Sequence, residues 1–225
     1  MKFLKTIIIL LLLLGCSVKN NRMTEFDKIL GKENNETLNL LVSEFENDFL
    51  KNKYPNLEIP NAYKRFLIET SEGRIDYTKA VTEKSKHIFN KSQLRLEIFC
   101  VADSTWIEAN PWTDKNLLVK ARTRCINPDG TFEIGAMEMP FYEKEISRDS
   151  ILEKYMNFVK TNHNGKYLKA LNSISDKSDF LSSFVEVKNA AGIIPFYMTA
   201  ESLLDFNADL NDYFIRRIIV AELIN

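Results

Sequence analysis

Along this chain, apolar residues recur with a helical period, switch to alternation in the middle third, and then return to the helical period. Leu38, Leu41, Val42, Phe45 and Phe49 fall on one helical stripe that Pro55 ends. A second helix is predicted from about Pro60 through Tyr63, Phe66 and Leu67, with Gly73 just past its end. A third carries Tyr77, Ala80, Val81, Ile88 and Phe89, and all three show a charged back to the apolar stripe. Leu94, Leu96, Ile98 and Cys100 then alternate with Arg95, Glu97 and Phe99, a strand pattern. Leu117 to Cys125 alternates likewise. Asn127-Pro128-Asp129-Gly130 is a turn, and Thr131 to Met139 returns as a third strand with a bulge expected at Gly135.

Beyond Pro140 the helices resume. Ser150 and Glu153 have capping-box spacing ahead of Tyr155, Phe158 and Val159. Asn164-Gly165 marks a turn before Tyr167, Leu168 and Leu171. Phe180, Leu181, Phe184, Val187 and Ala191 form a further helix closed by Gly192, and a last one runs from about Leu210 to Leu223. The pattern predicts an α+β fold, mostly helical, as a single domain over 24–225 with a small antiparallel three-stranded meander in its middle.

Composition narrows the function classes. With 225 residues, 45% apolar, the chain is too well patterned for disorder and too short for two large domains. Its 30 basic and 31 acidic side chains leave a formal charge of −1, which supplies no field to attract nucleic acid. No spaced repeat points to a solenoid.

The N-terminus has its own logic. Lys2 and Lys5 precede an unbroken apolar run, Ile7 to Leu14, which is too short for the roughly 20 residues of a membrane span and suits the core of an export signal. Leu13-Leu14-Gly15-Cys16 resembles the lipobox of bacterial lipoproteins. That resemblance implies a signal peptide over 1–15, cleavage before Cys16, acylation of Cys16 and a polar tether over 16–23. It places the body on a lipid bilayer in the cell envelope, at the outer membrane or the periplasmic face of a bacterial membrane. Removing Lys2 and Lys5 leaves 28 basic against 31 acidic side chains, a charge of −3, so the body is expected to stand off an anionic surface. The abundance of Lys, Asn, Ile and Phe is similar to lipoproteins of the Bacteroidetes kind, a resemblance that implies no activity. Ile59 to Leu67 is similar to a short stretch of the SUKH immunity family, but the Asn-Gly-Gly that should follow is absent and nothing is carried over.

Cys100 and Cys125 invite a disulfide in an exported chain. Strands over 94–101 and 117–125 joined by a symmetric loop would instead set Cys100 near Leu118, with the sulfurs over 20 Å apart at about 3.3 Å per residue. A disulfide tolerates Cα separations of only about 4.4–6.8 Å. Either the register differs or these are two buried free thiols, and both readings stand open here.

Candidate chemistry is sparse. His87 and His163 have no neighbours at zinc-ligand spacing, and no phosphate-cradling or nucleophile-elbow motif occurs, so no metal or cofactor is expected. Asp205 to Asn211 matches the first, third, fifth and seventh oxygen positions of a calcium loop. Leu210 replaces the required Gly, however, and Arg216 replaces the closing Glu, which favours a helix-to-helix turn capped by Asn207 and Asp209. Glu97, Asp103, Glu108 and Asp114 are candidate carboxylates for hydrolysis. Trp106 and Trp112, read as flanking a loop around Glu108, are candidate stacking surfaces or simple loop anchors. The expectation is a membrane-anchored envelope lipoprotein acting as a non-catalytic binding or scaffolding module, with an envelope protein as partner. The alternative is a hydrolase of envelope polysaccharide or peptide using carboxylates near 97–114.

Overall fold

The computed structural model describes residues 24–113 and 116–224, so the export signal, Cys16, the tether and Asp114 lie outside the described residues. The fold is α+β and mostly helical, 58% helix against 17% strand, with one curled antiparallel sheet. The described chain divides into two compact units. One combines 24–91 with 169–224, and the other is Ser92–Leu168.

The first unit is helical. Residues 24–30 form a helix that ends at Gly31, whose φ of 86° needs a residue without Cβ. α1 (Lys32–Glu44) continues through a π-helical turn, Phe45–Leu50, into Lys51–Lys53. α2 (Ile59–Ser71) starts with Pro in its first turn, where the missing N–H costs nothing. A 3₁₀ turn, Tyr77–Ala80, and α3 (Glu83–Lys91) split what the sequence reads as a single third helix. The aromatic stripe does the packing: Phe45 lies 5.5 Å from Tyr63 and 5.3 Å from Phe66, and Phe66 lies 5.8 Å from Phe196.

The second unit begins with α4 (Gln93–Ile98) and contains β1 (Phe99–Ala109), β2 (Leu117–Ile126), β3 (Phe132–Phe141), α5 (Arg148–Met156) and β4 (Val159–Thr161). α6 (Lys166–Ser173) carries the boundary between the units. The 3₁₀ turn Ser175–Lys177 and then α7 (Asp179–Ala191), α8 (Phe196–Asp205) and α9 (Tyr213–Leu223) belong to the first. The sheet has four strands in the order β3-β2-β1-β4, which corrects the expected three-stranded meander. The fourth is only three residues long and pairs Val159 with Val101, so its own pattern is too short to announce it.

The segment read as the first strand is a helix. Leu94, Glu97 and Ile98 are its buried positions, spaced three and four apart; the six residues Gln-Leu-Arg-Leu-Glu-Ile fit both periods, and packing decides for the helix. The strand starts at Phe99 and runs past Trp106, so the connection to β2 is short and the register moves. Val101 faces Arg124, and the next step along the ladder sets Cys100 against Cys125. The irregularity expected at Gly135 occurs instead in β1, between Ala102 and Ser104. Gly135 answers a different demand, since a Cβ there would lie 2.8 Å from the Thr123 hydroxyl. One sheet face, including Ala102, Val119, Ala121 and Phe141, packs on Ile151 and Tyr155 of α5. That helix is capped by Ser147, which accepts from the Ser150 N–H, rather than by the expected Ser150–Glu153 box.

Candidate functional site

The opposite sheet face is open only in its middle, because Val101, Leu118 and Ile126 on the same face are buried. Lys120, Arg122 and Arg124 occupy every second position of the central strand β2 and therefore share that face. Cross-strand pairing sets them in rows: Trp106, Lys120 and Glu138; Ser104, Arg122 and Ala136; Val101, Arg124 and Ile134. The Trp106 indole N–H donates to Glu108 Oε1 at 2.7 Å. Lys120 Nζ lies 2.7 Å from Glu108 Oε2 and 3.6 Å from Glu138 Oε2. The Lys120 ammonium, and then the Trp106 N–H, hold the Glu108 carboxyl below the usual carboxylate range, while Glu108 raises Lys120. Arg122 donates to Asp103 at 2.7 Å and depresses that carboxyl in the same way. Arg124 lies over the Phe132 ring at 4.7 Å.

Of the predicted site residues, the fold brings together Trp106 and Glu108, and separately Cys100 and Cys125. Trp106 and Glu108 both lie within β1, whereas the sequence reading put Glu108 in a loop flanked by Trp106 and Trp112. Trp106 is 38% exposed, whereas Trp112 lies beyond the strand end and is 74% exposed, with its N–H donating to Asn110 at 2.9 Å. Cys100 and Cys125 form a disulfide with Cα atoms 4.3 Å apart. The obstacle raised from a symmetric loop therefore disappears with the corrected register.

The four candidate carboxylates do not form one cluster. Glu97 is fully buried, and its Oε2 accepts the Lys166 N–H at 2.7 Å, at the start of α6. Asp103 and Glu108 are five residues apart on one strand, roughly 16 Å by strand rise. His87 and His163 are exposed. In the calcium-like segment, Arg216 donates to the carbonyls of Leu210 at 2.9 Å and Asn211 at 3.2 Å, oxygens an ion would otherwise seek. Asp209 accepts the Asn211 N–H at 3.1 Å, while Asn207 takes φ 48° as the residue that ends α8 rather than capping through its side chain.

Two side-chain contacts that shape this region escape sequence reasoning. Asn162 is buried and donates to the carbonyls of Leu96 at 2.9 Å and Ile126 at 2.7 Å, tying the turn before α6 to α4 and to the end of β2. Its partners are 66 and 36 residues away, so only the turn itself, Asn162 to Gly165, could signal it. The Arg124–Phe132 pair was also missed, since it depends on register. Comparison of the chain with known protein families, curated proteins and solved structures finds no match.

Proposed function

We propose that this chain is an exported lipoprotein, held at a membrane by acyl chains on Cys16, whose folded body is a non-catalytic binding or scaffolding module for another envelope component. The N-terminal pattern carries the location: two lysines, eight apolar residues and the Leu-Leu-Gly-Cys segment. The Cys100–Cys125 disulfide supports it, because such bonds persist in oxidising compartments outside the cytosol.

The open sheet face supports the binding role. Trp and Arg are the residues that most often anchor interfaces, and here Trp106 and Arg122 are exposed on one face with Arg124 half-buried beside them. The hydrolytic alternative finds less support. Asp103 and Glu108 are tied to cations that keep them ionised, whereas a general acid needs a raised pKa. Metabolic labelling with an alkyne fatty acid tests the anchor: wild type should carry label and sediment with membranes, and Cys16→Ala should lose both. An unlabelled wild-type protein with Met1 intact overturns the proposal.

A further inference from the structure

We infer that the free edge of β3 is the docking site for an extended, basic segment of a partner polypeptide, which adds to the sheet as a fifth strand. The inference deepens the binding-module reading and does not depend on the acyl anchor. Among the described residues β3 pairs with β2 alone and no strand lies along its other rim, and every residue of it except Phe141 is exposed or half-exposed. An open edge presents backbone N–H and C=O groups ready to pair, so proteins usually shorten it, cover it or set lysines along it. β3 is ten residues long and carries no Lys or Arg; Pro140 removes one donor near its end, which leaves 132–139 to pair. It also exposes Phe132 (47%), Ile134 (56%) and Met139 (56%).

Charge selects the occupant. The only charged residues of β3 are Glu133 and Glu138. Among the described residues Glu133 has no cationic partner, only a 3.5 Å contact from the Asn164 amide, while Glu138 shares Lys120 with Glu108. A second copy fits poorly. Its β3 holds no Lys or Arg, so an antiparallel copy at this edge would bring two further carboxylates and no cation to meet them. A foreign strand bearing Lys or Arg beside these carboxylates would gain what a second copy loses. Its alternate side chains would cover Phe132 and Ile134 on one face and Met137 and Met139 on the other, as in strand addition generally.

The test places the photo-cross-linker p-benzoylphenylalanine singly at Ile134, Met139, Trp112, Leu57 or Val187 in the full-length chain, expressed in its own cells, and sequences the adducts by mass spectrometry. Ile134 and Met139 should give one dominant adduct to the same Lys- or Arg-bearing segment, with background yield at Leu57 and Val187. With the probe at Met139, the Glu133→Lys/Ile134→Lys variant should cut that yield at least about tenfold while keeping its melting temperature. An adduct to the chain itself, to an acidic segment, or from only one of the two faces overturns strand addition. A dominant adduct at Trp112 without one at β3 sinks the edge proposal and leaves the binding-module reading standing; no dominant adduct at any site sinks both.

Discussion

Lys188 and Glu222 in the helical unit meet at 2.7 Å with 1% of either side chain exposed, and Arg217 is enclosed beside Asp27 at 2.6 Å and Asn35. In the sheet unit, Lys120, Arg122 and Arg124 lie along an open face with carboxylates or an aromatic ring for company. The same chemical pairs do different work in the two places. A charge taken out of water needs its partner to remain folded, so the helical pairs specify which helices meet. A solvated pair contributes little, so its members are free to exchange one partner for another. The sheet unit therefore combines a small core, stapled by Cys100–Cys125, with a face that can afford recognition.

The contrast can be broken most forcefully at Lys188. Lys188→Met should cost about 3–5 kcal/mol in denaturant unfolding, and adding Glu222→Leu should restore most of it. A single variant as stable as wild type would remove the contrast. The disulfide closes a loop of 25 residues, so Cys100→Ala/Cys125→Ala should cost the sheet unit about 3 kcal/mol. Hydrogen exchange should localise that loss to Ser92–Leu168; equal loss in the helical unit would mean that the two units unfold as one. Gly165→Ala should cost roughly 2 kcal/mol, since its Cβ would fall 2.0 Å from the Glu97 carbonyl oxygen and backbone must move. Thermal melts check this, and an unchanged melt would show the turn to be loose.

The smallest effects belong to the open face. Asp103→Asn and Glu108→Gln should each leave the melting temperature within about 2 °C of wild type. Both carboxyls are held low, so their favourable contribution is complete above the ordinary carboxylate range and is lost as pH falls through the lowered folded values. NMR titration should find both below that range and drifting back toward it in high salt. Ordinary values at low salt would sever Asp103 from Arg122 and Glu108 from Lys120.

Long helices were legible because their pattern repeats over several turns. α1, α2 and α7 appear where the stripes predict them, and Gly192 ends α7 at φ 74°. The β2–β3 hairpin was legible from its turn, where the Asn127 N–H donates to Thr131 at 2.8 Å and Gly130 takes φ 85°. Gln93–Ile98 was misread because six residues satisfy two periods at once. The candidate site was legible in parts: Trp106 and Glu108 could be named as neighbours, but the cationic column opposite them could not.

Period, turn chemistry and composition are local properties, and from them the sequence determined the mixed class, most helices and two of the four strands. Tertiary structure alone decided which residues face one another. A one-residue slip in β1 would move Cys100 away from Cys125 and turn Trp106 from the open face to the packed one. Lys188 likewise meets Glu222 across 34 residues of chain. Such pairings follow from loop closure and from the burial of whole faces, and no short stretch of sequence encodes either.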